Sequence, residues 1–310
     1  MSKAFDLRAR GTRFGFAMGL AALALTTSAQ ATVVVNDSWV DLGRTNGADP
    51  QDAAWWSSTS STGNSIEVSA NNLGLISGSS GRGIHGTFAP QALAEGERMT
   101  VTFSFTTPGV VGTSLGSGFR IGLFNRANNS ALEADLTASS GSPNALYNPL
   151  AGYMLDFDVN TADANVSLRE KDPVPGTTGQ LLSTTTGFAA SAGGGDVYTF
   201  TASTQYVGVY SVARTALGLE LTGSLSLASA PGAPLSTFTT TDATPSATTF
   251  DLLAFHANSN AFGNNTTPGD ANNGINFSNI TIDVSPIPEP GTALLTTGLA
   301  ALALRRRRTA

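Results

Sequence analysis

The sequence predicts an all-β protein, an antiparallel jelly roll or β-sandwich, and three observations lead there. Short runs of β-branched and aromatic residues alternate with polar ones along most of the chain. Clusters of Gly, Ser, Thr, Asn and Pro separate those runs. Between the two chain ends no segment sustains a helical period with caps, so strands must connect through turns and not through helical crossovers.

The elements follow in order. Val33–Val35, Ile66–Val68 and Leu73–Ile76 are the first candidate strands. In Met99–Phe105, Val101, Phe103 and Phe105 alternate with Thr100, Thr102 and Ser104, giving one face for a core and one for water. Phe119–Phe124 alternates likewise, with Phe119, Ile121 and Leu123 on one side. Tyr153–Val159, Asn165–Arg169, Val197–Phe200, Gln205–Ala213, Leu217–Leu227, Thr249–His256 and Ile275–Val284 complete the set. Ser77–Gly81 and Gly193–Gly195 read as turns, and Pro231–Thr248 as a surface loop and the place for a domain boundary if one exists. No repeat of fixed period points to a propeller or β-helix.

Both ends carry targeting features. Lys3, Arg8, Arg10 and Arg13 precede the apolar run Phe14–Leu25, and Ala29 and Ala31 supply the small residues that signal peptidase reads. Residues 1–31 are therefore expected to be a signal peptide of the general secretory route, forming a short helix and cut after Ala31. At the other end Pro286, Pro288 and Pro290 bracket Glu289 in a segment unable to pair regularly. An apolar run, Thr292–Leu304, and then Arg305, Arg306, Arg307 and Arg308 follow. The run is short for a span, and the arginines hold that end in the cytoplasm.

That order of elements resembles the PEP-CTERM sorting signal, with Pro288-Glu289-Pro290 its namesake motif. The resemblance covers residues 286–310. It implies a Gram-negative, exopolysaccharide-producing source and an exosortase, an integral-membrane enzyme, as processing partner. It implies a transmembrane helix as transient inner-membrane anchor, then delivery to the cell envelope, cell surface or extracellular matrix.

Residues 32–285 remain as one expected β-sandwich domain. The two ends hold half of the chain's 16 Lys and Arg but only Asp6 and Glu289 of its 22 acids. The remainder is strongly acidic, with Lys171 its only lysine, which opposes electrostatic binding of nucleic acid. There are no cysteines, so disulfides and thiolate metal sites are excluded and stability must come from an apolar core. Phe119–Phe124, Tyr153–Val159 and the closing run Phe277–Asp283 resemble strands of the concanavalin A-like or laminin-G-like jelly roll.

Chemistry narrows to a few groups. Asp156 and Asp158 stand two apart in one strand and so share a face. Two carboxylates are what a glycoside hydrolase needs, and glucanases of the concanavalin A-like fold carry E-x-D-x-E on one strand. Here Met154 and Asn160 occupy the flanking positions, so neither glutamate is present, and ordinary polar roles on a sheet face compete with catalysis. His85 and His256 are the only histidines, and no nucleophile elbow, P-loop, dinucleotide fingerprint or HExxH occurs. The body is therefore expected to be non-enzymatic, with a hydrolase or lyase as the alternative.

Binding is the better expectation. Asp37, Asp41, Asp49, Asp52, Asp156, Asp158, Asp270 and Asn272 are oxygen donors suited to a structural calcium, though the Asp270 segment lacks the distal glutamate of an EF-hand. Trp39, Trp55 and Trp56 are the only tryptophans. Trp55 and Trp56 point to opposite sides of an extended strand, so one suits a core and the other a sugar platform, while both covering core edges is equally open. The asparagines of residues 258–265 suit hydroxyl recognition and suit turns equally. The function this supports is binding or scaffolding of exopolysaccharide.

Overall fold

A computed structural model describes residues 30–45, 53–59, 65–77, 81–112, 118–137, 143–159, 166–173, 179–183, 187–263, 267, 270 and 273–288. Its strands begin with β1 (Thr32–Asp37), β2 (Ala54–Ser58), β3 (Ile66–Ser69), β4 (Asn72–Ile76) and β5 (Arg82–Ala92). There follow β6 (Glu97–Thr106), β7 (Gly118–Asn125), β8 (Ala151–Asp158), β9 (Val166–Lys171) and β10 (Phe188–Gly194). The last are β11 (Gln205–Thr215), β12 (Gly218–Leu227), β13 (Pro234–Asp242), β14 (Thr249–Ala257) and β15 (Gly274–Pro286). Two 3-10 turns, Ser130–Leu132 and Ala145–Tyr147, are the helical elements among the described residues.

The strands form two antiparallel sheets, as the alternating pattern predicts. An eight-stranded sheet runs β13-β12-β11-β6-β15-β4-β3, with β1 also paired to β15. A seven-stranded sheet runs β10-β9-β8-β7-β14-β5-β2. The inward rows of both sheets share one core. Val101, Phe103 and Phe105 of β6 meet Phe119 of β7 and Phe255 of β14 there, and the rings of Phe255 and Phe277 lie tilted with centroids 4.6 Å apart. Burial of such aromatic rows is the main source of stability in a chain without disulfides.

Four strands escaped the sequence pattern. β5 is buried on both faces from Arg82 to Phe88, which erases alternation, and the five residues of β2, Ala-Trp-Trp-Ser-Ser, do not alternate in polarity although their burial alternates from Ala54 to Ser57. β10 is Ala- and Gly-rich. β13 lies inside the segment expected to be a surface loop; it is an edge strand whose proline sits at its first residue, where no ladder bond is lost. Conversely, Val197–Phe200 is not a strand. Tyr198 and Phe200 are core plugs on a connecting segment, with Phe200 5.0 Å from Tyr206.

The connections define two poles. Pro286 of β15 pairs with Glu97 of β6, and β1 begins beside them, since Thr32 pairs with Val284. Gly118, Asp158 and Ala257 mark the opposite pole of the seven-stranded sheet. The expected flanking helices of residues 1–31 and 286–310 fall almost wholly outside the described residues; only residues 30, 31 and 286–288 are within them.

Candidate functional site

The outer face of the seven-stranded sheet is covered over one half and polar over the other. Towards the pole where β7 ends, Phe124, Met154 and Leu252 from the sheet pack with Leu132, Tyr147, Leu150, Leu181 and Leu182 from the connecting segments into a second apolar cluster. Towards the opposite pole the same outward rows carry Arg120, Asp156 and His256, which strand register places side by side: Arg120 faces Asp156 across β7 and β8, and His256 across β7 and β14.

Arg120 organises this group. Its Nε donates to Asp156 Oδ2 at 3.2 Å and its Nη1 to the Leu182 carbonyl at 3.4 Å. The Asn258 amide, oriented so that both its ends find partners, accepts from Arg120 Nη2 at 3.2 Å and from Gly118 N at 3.1 Å. Its nitrogen donates to His256 Nε2 at 3.2 Å, which assigns the imidazole proton to Nδ1. Burial pushes His256 down to about 3, and the Arg120 charge acts the same way, so the ring is neutral.

Asp156 is held by one oxygen only. Oδ1 is buried and has no hydrogen-bond partner among the described residues. A Cβ on Gly118 would meet it, so a side chain there would displace the carboxylate. Burial raises the Asp156 carboxyl above its ordinary range, and Arg120 and Arg169 oppose that rise. Half-buried Asp158 is raised too, first by burial and then by the Asp156 charge. Neither carries a glutamate neighbour, and Asp156 is committed to an ion pair.

The other expected groups are dispersed. Trp55 is fully buried and donates from Nε1 to Asp37 Oδ2 at 2.7 Å; it belongs to the core and presents no ring to a ligand. Asp37 also accepts from Trp39 N at 3.2 Å, so this metal candidate is buried and anchors two tryptophans. Trp56 lies on the outer face, half-buried, beside His85, to which it is register-paired. His85 hydrogen-bonds to the Leu132 carbonyl at 2.8 Å, and burial lowers it to about 4, so it fastens the second cluster to the sheet. Asp41 caps its own turn through Gly43 N at 2.8 Å. The Asp270 carbonyl accepts from Asn273 N at 3.1 Å. Asn272, Asp49, Asp52, Ala29, Glu289, Pro290 and Arg305 to Arg308 lie outside the described residues, whereas Ala31 and Pro288 flank the body directly. Among the described residues no group of three or more His, Asp or Glu is gathered to hold a metal.

Arg120 was missed in the sequence, and Asn258 was named there only among the asparagines of residues 258–265. Arg120 stands on the wet row of Phe119–Phe124, and a lone charge in such a row was the available signal.

The solved structures similar to this chain include lectins. Peanut lectin with a nine-residue peptide covers 84% of this chain and 100% of its own at 8% identity and TM-score 0.47. The carbohydrate recognition domain of Emp46p in metal-free form covers 74% of this chain and 87% of its own, at 12% and 0.44. Basic winged bean lectin with Tn-antigen covers 84% of this chain and 100% of its own, at 10% and 0.47. No family model and no curated protein matches the chain. The chemistry of the site therefore stands on its own residues.

Proposed function

We propose that this is an exported, non-enzymatic protein of the cell envelope or extracellular matrix that binds or scaffolds exopolysaccharide through the Arg120–Asp156 pole. The observation that carries it is the half-used Asp156 carboxylate, fixed by Arg120 and braced by Asn258 and His256, with Asp158 on the same face. Prearranged carboxylate and amide groups are what reads sugar hydroxyls without chemistry. The residue pattern at the two ends supports export and sorting, with signal peptidase and exosortase as processing partners.

Glycan arrays and pull-downs with the producer's own exopolysaccharide, with and without calcium, test the reading. Binding that Asp158→Asn weakens at least tenfold is expected; no binding in either condition rejects the lectin form and leaves scaffolding. Mass spectrometry of the exported protein is expected to find Thr32 first and an end between Pro288 and Gly291. A retained Arg305–Arg308 tail would reject the sorting reading.

The second reading, a polysaccharide hydrolase or lyase, rests on the raised carboxyls of Asp156 and Asp158. Turnover of a β-glucan that is abolished by Asp156→Asn would favour it over binding.

A further inference from the structure

Along one edge the two sheets are joined through a tyrosine hydroxyl. Tyr153 of β8 and Glu170 of β9 are register partners in the seven-stranded sheet, so their side chains share a face, the one on which Tyr153 enters the core. Asp242 closes β13, the edge strand of the eight-stranded sheet. The Tyr153 hydroxyl oxygen stands 2.6 Å from Asp242 Oδ2 and 3.5 Å from Glu170 Oε1. The crossing from β13 to β14 is fastened at the same place. Thr244 N donates to Asp242 Oδ1 at 2.9 Å, Ser246 N to Glu170 Oε1 at 2.9 Å, and Ser246 Oγ to the Lys171 carbonyl at 3.2 Å.

The hydrogens do not suffice if both acids are ionised. A tyrosine hydroxyl has one proton, and the shorter contact takes it for Asp242. The contact with Glu170 is then oxygen against oxygen. No Lys or Arg forms an ion pair with Glu170, Asp242 or Asp172 among the described residues. Lys171 points to the opposite side of β9, where its Nζ lies 5.5 Å from the Phe188 ring centre. Strand β10 brings no charged residue, and β12 brings Glu220, which pairs with Arg98 on the outer face. Tyr210 of β11 is the remaining titratable neighbour, and its fully buried hydroxyl has no hydrogen-bond partner among the described residues. Burial raises the Glu170 carboxyl above its ordinary value, and the Asp242 and Asp172 charges act the same way, against the hydrogen bonds from Ser246.

We infer that Glu170 carries a proton in the folded protein and donates it in a hydrogen bond to the Tyr153 oxygen, which donates its own to Asp242, so that this chain joins β9 to β13 and opens when Glu170 ionises. On ionisation the proton goes to water. Two carboxylates then flank one hydroxyl and repel, and the β13 edge is no longer drawn to β9. The joint is therefore a pH-sensitive contact between the two sheets. Because the Glu170 value is raised in the fold, the stabilisation is complete below the ordinary glutamate value and is lost as pH rises through the folded one. The inference depends on neither the glycan reading nor the export reading.

The test is an NMR titration of the Glu170 side-chain carboxyl in the isotope-labelled exported protein, with Glu170→Gln to assign the signal and Tyr153→Phe beside the parent. If Tyr153 accepts from Glu170, removal of its oxygen favours the ionised acid, and the Glu170 midpoint is expected to fall. If Tyr153 donates to an ionised Glu170, the midpoint rises in Tyr153→Phe; if burial alone raises the acid, it stays where it was. Either result overturns the inference. Urea midpoints between pH 5 and 8 give a second readout. The parent is expected to lose stability as pH rises relative to Glu170→Gln, whose amide supplies a donor at every pH. That loss is expected to shrink when the same pair is compared in the Tyr153→Phe background. Parallel curves for the parent and Glu170→Gln overturn the inference, and so does a loss of equal size without the Tyr153 hydroxyl.

Discussion

The two sheets share a core and differ on their outer faces. The eight-stranded sheet leaves its outer face to water and lines it with short hydroxyl side chains. Strand register aligns Thr239, Thr222, Ser211 and Thr100 in one row, and Thr237, Ser224, Val209, Thr102 and Thr281 in the next. Charge on this face is marginal: Asp283 ends the first row, and Arg98 pairs with Glu220 at 3.4 Å beyond it. The seven-stranded sheet is buried on both sides and keeps buried charges on its outer face. Water satisfies the first face without specific partners. On the second, buried polar groups depend on partners from the chain, and Asp156 Oδ1, His85 Nδ1, Trp56 Nε1 and Lys171 Nζ have none among the described residues. What marks the candidate site is that the unpartnered atom there belongs to a carboxylate already fixed by Arg120.

The largest test of this contrast is Arg120→Met. It keeps the bulk but strands Asp156, whose side chain, like that of Arg120, is 10% exposed. Breaking a buried pair from one side is expected to cost about 3–5 kcal/mol, read as a shift in urea midpoint. Arg120→Met with Asp156→Leu is expected to recover most of that, because an apolar replacement leaves no uncompensated charge. A double variant as unstable as the single would show that the cost lies elsewhere, in the Asn258 or Leu182 contacts.

How much of this was legible in the sequence follows from the same contrast. Met99–Phe105 and Ile275–Val284 announce themselves because one face is wet and the other dry, and they became the central pair β6 and β15. Strand β5 does not, because Ile84 and His85 are both fully buried, one in the core and one under Leu132. Asp156 and Asp158 were visible as a pair, but the partner that decides their role is 36 residues away and only register reveals it. Trp55 and Asp37, 18 residues apart, were named separately as ligand groups and proved to be each other's partner. Local pattern reports exposure well and reports long-range pairing not at all.

The next effect is the pH dependence of the covered face. His85 and His256 titrate at 6.5 when unfolded and fall to about 4 and about 3 when folded, chiefly through burial. The unfolded chain therefore takes up protons first as pH falls. The stabilisation from the neutral rings is complete above about pH 6.5 and is lost as pH drops towards 4 and then 3. Asp156 and Asp158 act with opposite sign: their raised folded values give stability that is present below the ordinary carboxylate value and lost as pH rises through the folded one. The His85→Gln variant isolates the imidazole. Its stability deficit relative to the parent is expected to shrink steadily in urea titrations at pH 7, 6 and 5. Parallel curves would show that His85 is not buried neutral and that the second cluster does not seal the sheet.

The smallest effect belongs to the open face. Thr102 stands between Val209 and Thr281 on the half-exposed row, so Thr102→Val removes a hydroxyl that water already serves. The expected change is within about 0.5 kcal/mol. Thr222→Val additionally breaks the cross-strand hydroxyl pair with Thr239, at 2.9 Å, and a double-mutant cycle on those two threonines is expected to give a coupling of roughly 0.2–1 kcal/mol. A cost at Thr102 well above 1 kcal/mol would mean that this face is covered in solution, since only a desolvated hydroxyl is worth that much. The contrast between an open and a sealed sheet would then fail, and the repetition of the measurement across protein concentration would show whether a second copy does the covering, because only self-association makes the cost depend on concentration.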